Sequence, residues 1–198
     1  RDRFMMASLR FLGIEKGKPF EPNERQKEIL KEAVLVGEAM AQSNSFESRF
    51  PGVKYREDAD WEYVIFLEPS QRGGDYEQLD ERAAYTYEAV TTSAGMTTKT
   101  PGVGSAYLGG YRDSDGNWLS GSSNYQMKVP ANAPMKQFWS VTIYNQATRC
   151  LIENGTGSAE RSSRNDLNIN EDGSVDLYFG PGKAPAGKEN NFIKTNPN

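Results

Sequence analysis

The sequence predicts an α+β protein in which a helical linker-like region, residues 1–100, precedes an antiparallel β-sandwich of jelly-roll type, residues 101–198. Two observations predict this division. In the first half, apolar residues recur at three- and four-residue steps, which is the periodicity of an amphipathic helix. From residue 101 onward, short aromatic and β-branched runs alternate with Gly, Asn, Asp and Pro, which is typical of a sandwich or a jelly roll.

Three helices are predicted in the first half. Residues 2–12 have helical periodicity. The second helix begins after Asn23, which can cap its N-terminus while Gln26 reaches back to the backbone, and it extends to about Ser43. The apolar stripe of this helix is expected to pack in the core. The third helix is expected over residues 79–90.

The remaining elements are predicted from local composition. Asp80 is the expected N-cap of the third helix, and residues 61–67 are an expected buried strand. A hairpin forms the centre of the second half. Its strands flank a turn at residues 145–148, and the return strand begins at Arg149. The strands expected in this half are residues 106–112, 118–120, 125–129, 138–144, 149–152 and 175–179.

Composition excludes several classes of function. A net charge of −4 argues against general nucleic-acid binding. The absence of histidine removes Ser-His-Asp and Cys-His nucleophile activation and the His-based metalloprotease helix. The single cysteine, Cys150, excludes an internal disulfide and is expected to be a small buried residue on a strand. No apolar run reaches the roughly 18 residues of a membrane span, and no cofactor is predicted.

Two acidic motifs resemble pieces of a calcium loop, at residues 113–117 and 168–173. In the second, the position of the bidentate glutamate is occupied by Phe179, and in the first, the opening ligand position is Tyr111. Asp-Gly is also the preferred dipeptide of a tight hairpin turn. We therefore expect turns at both motifs and no metal site.

Three arginines form the candidate binding site: Arg149, Arg161 and Arg164. Arg149 leaves the central strand, and the other two lie in a long polar loop rich in serine. Guanidinium groups together with hydroxyls and exposed amides can hold phosphate or carboxylate, so this group is a candidate anion clamp. The alternative is a solvated loop with one structural Arg–carboxylate pair, and the sequence leaves both interpretations open.

Five segments share the pattern of one family: residues 13–20, 102–107, 138–144, 172–178 and 184–192. In these segments the chain resembles the C-terminal half of the bacterial exported proteins that pair domains of unknown function 1254 and 1214. The resemblance implies a separate N-terminal β-domain, an apolar closing strand after residue 198, and a periplasmic or secreted location. The chain departs from the pattern at Ser120-Gly121, where Asp-Gly is more usual. The family has no agreed catalytic motif, so no catalytic residue is carried over.

The missing closing strand predicts a partner, since an open sheet edge exposes unpaired backbone groups. We expect the rest of the polypeptide, or a second copy of the chain, to cover that edge. The expected function is a non-catalytic ligand-binding or scaffolding module of an exported envelope protein. The alternative is a hydrolase of phosphorylated or polyanionic small molecules, with the arginine clamp and Asp113 or Asp166 as acid or base. A sugar-binding surface ranks third, and its aromatic residues would be Tyr107, Tyr111, Tyr125, Tyr144 and Trp118.

Overall fold

The computed structural model describes residues 2–98, 100 and 103–197. The chain forms two compact units, Arg1–Tyr111 and Arg112–Asn198. Helices and small, mostly antiparallel sheets occur together, which confirms the α+β class and the helical N-terminal region. The predicted boundary between residues 100 and 101 involves Pro101, which lies outside the described residues, as does Gly102 of the family pattern.

In the described part of the first unit, the three predicted helices occur together with one short additional helix. In the capping box of the second helix, the Asn23 side chain accepts from the Gln26 N–H at 2.8 Å and the Gln26 side chain accepts from the Asn23 N–H at 2.9 Å. These two bonds satisfy backbone donors that a helix N-terminus leaves unpaired, and they confirm the predicted start. The helices are α1 (Arg3–Phe11), α2 (Glu24–Phe46), α3 (Leu79–Glu88) and α4 (Ala94–Thr97).

Two expectations about these helices are wrong. Asp80 lies in the first turn of α3, whose N-cap position is occupied by Gln78. The apolar stripe of α2 is not core, since Val34 is 66% and Met40 58% exposed. Periodicity identifies an apolar face of a helix but says nothing about what covers it. Near the C-terminal end of α2, the buried Ser45 hydroxyl donates to a carbonyl of α3 at 2.7 Å.

The residues of the first unit that the structure describes also form two small antiparallel sheets. Strand β1 (Glu62–Tyr63) pairs with β4 (Leu108–Gly109), and β2 (Arg72–Gly73) pairs with β3 (Tyr76–Glu77). The buried strand expected over residues 61–67 is therefore limited to β1. Its pairing with β4 brings residues 108–111 beside the start of the predicted strand.

The second unit is built on two further sheets. The first has the order β5 (Tyr125–Val129), β8 (Val175–Gly180) and β9 (Phe192–Lys194). Strands β5 and β8 are antiparallel, whereas β8 and β9 are parallel, which differs from the all-antiparallel prediction. The second sheet pairs β6 (Ser140–Thr142) with β7 (Glu160–Ser162) in antiparallel fashion.

The core of the second unit receives side chains from both sheets. Leu177 and Ile193 are 0% and 1% exposed, and Trp139 and Val141 pack against the same cluster. Shared burial of this kind explains why two short sheets form one compact unit. Among the described residues the sheets remain small and separate, so a closed jelly-roll sandwich stays a prediction.

The central hairpin differs from its prediction at the return strand. Only Leu151 forms a bridge, with Tyr144, and the segment before it is a tight turn. Arg149 lies in that turn with φ of 59°, a left-handed conformation that is uncommon for a residue other than glycine. Cys150 is exposed, so its expected burial is wrong because the residue belongs to the turn instead of a strand.

Candidate functional site

A small cleft in the first unit brings aromatic and acidic side chains together. Its cavity volume is about 20 Å³, which is room for about one water molecule, and the cleft opens to solvent. Its walls combine aromatic rings with three carboxyl groups, and of its described lining residues none is lysine or arginine. The aromatic side chains are Phe50, Tyr63, Phe66 and Tyr111, and the carboxyl groups belong to Glu62, Glu81 and Glu88.

Helix α3 places two of these carboxyl groups on its buried face. Glu81 is only 5% exposed, and one of its oxygens accepts from the Tyr76 hydroxyl at 3.0 Å and from the Gln78 amide at 3.2 Å. Ala84 and Glu88 follow at the helical spacing of one face, and both line the cleft. The carboxylate of Glu81 is therefore held in place, whereas Glu88 stands at the last residue of the helix.

Tyr111 is positioned against Glu88 by the segment that follows β4. Its hydroxyl donates to a Glu88 carboxyl oxygen at 2.8 Å, and its ring packs edge-on against Phe46 with centroids 5.2 Å apart. Gly109 is required for this arrangement, because a Cβ there would overlap the Tyr111 hydroxyl. The register of the first sheet sets Glu62 directly opposite Gly109. Three chain segments therefore meet at the Glu88 carboxyl group.

Burial determines the electrostatics of this pair. Burial raises the pKa of Glu88 to about 7, the negative charge of Glu62 adds to the rise, and the hydrogen bond from Tyr111 opposes it. Burial also raises the pKa of the Tyr111 hydroxyl, and the charge of Glu88 adds to that effect. At neutral pH Tyr111 is therefore a fixed donor, while Glu88 exists as both acid and carboxylate. Such a group can bind a proton or accept a hydrogen bond from a ligand.

The predicted arginines each have local contacts. The guanidinium of Arg149 donates to the Ala147 carbonyl at 3.1 Å, within its own turn. Arg161 donates to the Asn190 carbonyl at 2.8 Å and to the Ser158 hydroxyl at 2.9 Å, and Arg164 stacks over the Phe138 ring at 4.1 Å. These contacts show where the three side chains lie, and the anion clamp stays a prediction.

The two acidic motifs form turns, as predicted. Asp113 accepts backbone N–H bonds from Asp115 at 3.0 Å and Asn117 at 2.9 Å, and an antiparallel bridge flanks this turn. In the second motif Asp172 accepts from the Ser174 N–H at 2.9 Å, immediately before β8. Each carboxylate therefore accepts hydrogen bonds from the backbone of its own turn. Within the described ranges, no group of three or more potential ligands could hold a metal ion.

Buried amides carry much of the polar structure of the second unit. Asn191 is 1% exposed and donates to the Asn168 and Asp176 carbonyls at 2.9 and 2.8 Å, while its oxygen accepts from the Asn168 N–H at 2.8 Å. Asn154 similarly donates to the Ser158 and Lys194 carbonyls, at 2.9 and 2.8 Å. These side chains hold loops to strands.

The fold and the cleft define an α+β protein with a helical unit that carries an acidic, aromatic-walled cleft. Residues 104–198 match the model of a family described as a protein of unknown function, DUF1214. This match confirms the C-terminal part of the family resemblance, and the pairing with domain 1254 stays a prediction. No curated protein matches the chain.

Among solved structures, the chain is similar to the crystal structure of the VPA0106 protein from Vibrio parahaemolyticus. The two are 19% identical, with a TM-score of 0.44. The similarity covers 98% of this chain and 44% of that one, so this chain spans less than half the length of its structural relative.

The cleft was missed by the sequence analysis, although one signal for it exists. Glu88 falls on the same face of α3 as Glu81 and Ala84, so two acidic residues lie at apolar positions of a predicted helix. An acidic residue on a buried face needs either a partner or a raised pKa. Its partner, Tyr111, is 23 residues away in the chain, and no local pattern connects the two.

Proposed function

We propose that this chain is a non-catalytic ligand-binding module and that its ligand occupies the acidic cleft of the first unit. The observation that carries the proposal is the Glu88 carboxyl group, half-buried beside aromatic rings and hydrogen-bonded to Tyr111. Apolar walls with a few convergent polar groups are typical of small-molecule sites. The described lining contains neither an activated nucleophile nor a cation that could stabilise an oxyanion, which favours binding over turnover.

The charge of the cleft defines the ligand class. Three carboxyl groups repel phosphate and other anions, and they favour a small molecule that donates N–H or O–H groups, such as an amine or a polyol. Aromatic faces add an attraction for a cationic amine. The exported, envelope location of the module belongs to this proposal and rests on the family resemblance alone.

The test is a thermal-shift screen of the chain with small primary amines, polyols and inorganic phosphate. A ligand at a hundred times its dissociation constant adds about 2.7 kcal/mol of stability, which is readily measured. We expect a shift with an amine or a polyol, and we expect Glu62→Gln to weaken it. The matched control is Glu38→Gln, an exposed glutamate of α2. No shift with any amine or polyol would contradict ligand binding in this cleft.

One observation favours the alternative, a hydrolase of phosphorylated small molecules with Arg149, Arg161 and Arg164 as its clamp. Arg149 is a non-glycine residue at φ of 59°, and strained backbone of this kind concentrates at functional sites. A thermal shift with phosphate that disappears in Arg149→Ala would support this alternative.

We also propose that the second unit is a β-sandwich and that a partner covers one of its sheet edges. Both sheets of the second unit bury side chains in one core, which supports a sandwich architecture. Strands β5 and β9 form the edges of the three-stranded sheet. We propose that the rest of the polypeptide or a second copy covers an edge. Light scattering on the chain checks the second-copy form, which predicts twice the monomer mass.

A further inference from the structure

Strand β5 is an open edge of the three-stranded sheet. It pairs with β8 on one side, and among the described residues no strand pairs with its other side. Its five residues contain no proline and pair with β8 in unbroken register, so neither a bulge nor a proline protects the edge. An edge of this kind can accept a further strand.

The opposite edge of the same sheet, β9, is already covered by side chains. The Asn154 amide donates to the Lys194 carbonyl at 2.8 Å. The Arg161 guanidinium donates to the carbonyl of Asn190, which lies just before β9, at 2.8 Å. These side chains occupy backbone acceptors that an added strand would need, so β5 is the edge of this sheet that is better suited to pairing.

The hydrogen bonds of β8 show which backbone groups of β5 point outward. The Asp176 carbonyl accepts from the side chain of Asn191, just before β9, at 2.8 Å. The Gly180 carbonyl accepts from the N–H of Thr195, just after β9, at 2.8 Å. Both carbonyls therefore point toward β9. Because backbone groups alternate along a strand, those of Leu177 point toward β5.

The register transfers this alternation to β5. Leu177 stands opposite Met127, so the N–H and carbonyl of Met127 belong to the ladder with β8. The N–H and carbonyl groups of Gln126 and Lys128 therefore point away from β8. Within the part of the second unit that the structure describes, these four groups have no hydrogen-bond partner.

We propose that β5 pairs with β5 of a second copy of this chain, antiparallel and about a two-fold axis at Met127. In this register Gln126 of one copy stands opposite Lys128 of the other, and the two residues exchange two backbone hydrogen bonds. The two-fold axis repeats this pair, so all the outward groups of both residues are satisfied. The pairing rests on the part of the proposed function in which a second copy covers an edge, and it specifies the edge and the register.

The charges of β5 suit this register. Lys128 meets Gln126 of the second copy, so no like charges stand directly opposite, whereas an axis at Lys128 would set two lysines side by side. Within its own sheet Lys128 stands opposite Asp176, which offsets its charge. Both Gln126 and Lys128 are exposed, so they can meet a second copy without repacking the core.

The core-facing side chains of β5 are also complementary. Tyr125 meets Val129 of the second copy, and an aromatic–β-branched pair of this kind stabilises a sheet. Pro130 follows the strand, and because it has no N–H it ends the new ladder there. The two copies together form one six-stranded sheet, which is a common size.

Analytical ultracentrifugation of the chain, over a dilution series, tests the pairing. We expect a dimer of the native chain. Gln126→Lys sets a cation opposite Lys128 at two symmetric places and should raise the dissociation constant by about 2- to 30-fold. Gln126→Glu sets a carboxylate there and should lower it by a factor of up to about 30. Opposite shifts from one exposed position are not expected from a role within a single copy.

A proline tests the backbone bonds directly. Lys128→Pro removes an N–H that points away from β8, so the ladder with β8 remains while the dimer loses two donors. The dissociation constant should rise by at least about 30-fold. Lys128→Ala is the matched control, because it keeps the N–H, and it should change the constant by less than about 5-fold. If Lys128→Pro does not fold, as measured by circular dichroism, the two variants of Gln126 decide.

A chain that stays monomeric at every concentration overturns the pairing. A dimer that is equally strong in Gln126→Lys and Gln126→Glu also overturns it, but leaves standing the proposal that a second copy covers another edge. The cleft belongs to the first unit, so its ligand binding is tested separately. A chain that dimerises through β5 but shows no thermal shift with any amine or polyol would remove the proposed ligand-binding function and leave the pairing intact.

Discussion

Replacing Asn191 with leucine should strongly destabilise the second unit. Leucine has a similar shape but no polar atoms. The change removes the side-chain hydrogen bonds to three part-buried backbone groups: the N–H and carbonyl of Asn168 and the carbonyl of Asp176. An unsatisfied buried group costs about 1–3 kcal/mol, and the buried leucine recovers part of that loss. We expect a net loss on the order of 3–5 kcal/mol, which corresponds to roughly 15–30 °C in a unit of this size.

The assay is urea unfolding followed by tryptophan fluorescence in a Trp61→Phe background, so that Trp118 and Trp139 report on the second unit. Asn190→Ala is the matched control, because this neighbouring asparagine is exposed and its side chain makes no hydrogen bond among the described residues. The control should lose less than about 0.5 kcal/mol. A loss below about 1 kcal/mol in Asn191→Leu would refute the structural role of the amide.

Two further predictions concern backbone positions. A Cβ at Gly121 would overlap the Asn196 carbonyl oxygen, so Gly121→Ala should cost about 1–3 kcal/mol in thermal unfolding, whereas Gly182→Ala, which meets no atom within 4 Å, should change little. An equal effect of the two glycine substitutions would contradict the close packing at Gly121. Asn23→Ala removes the capping box with Gln26 and should cost α2 about 1 kcal/mol, measured by circular dichroism, and an unchanged helix signal on heating would count against the cap.

Local signals in the sequence predicted local structure well. The Asn23–Gln26 capping box, the bounds of β5 and the turns at Asp113 and Asp172 follow from residues within a few positions of each other. Such motifs work because the interacting groups are held together by the chain itself. Predictions of burial were weaker, as the exposed stripe of α2 shows, because burial depends on what packs against an element from elsewhere in the chain.

The candidate cleft could not be predicted for the same reason. Its central contact joins Glu88 to Tyr111, and the β1–β4 pairing that places Tyr111 involves only two residues in each strand. Pairs this short give no alternating pattern that a sequence would reveal. Gly109 is the one residue nearby whose identity reflects the contact, because the lack of a side chain allows Tyr111 to approach. In the sequence alone, however, it cannot be distinguished from a turn glycine.

Two substitutions at Arg149 distinguish a structural role in the turn from a role in an anion clamp. Glycine removes the strain of the left-handed backbone, which costs about 1–2 kcal/mol for a residue with a side chain. Glycine also makes the unfolded chain more flexible, which lowers the free energy of unfolding by about 0.4–1 kcal/mol. We therefore expect Arg149→Gly to raise the free energy of unfolding by about 0.5–1 kcal/mol, while Arg149→Ala keeps the left-handed backbone and removes the guanidinium group, including its bond to the Ala147 carbonyl. Urea unfolding measures the change in stability of Arg149→Gly, and calorimetry measures phosphate binding by the native chain and by both variants.

If phosphate binds the native chain and neither variant, the left-handed backbone at φ of 59° positions Arg149 for anion binding, which supports the hydrolase alternative. If glycine stabilises the chain and phosphate binds none of the three proteins, Arg149 is a residue of the turn at positions 145–150 and not part of an anion clamp. A loss of stability in Arg149→Gly would refute the strain itself.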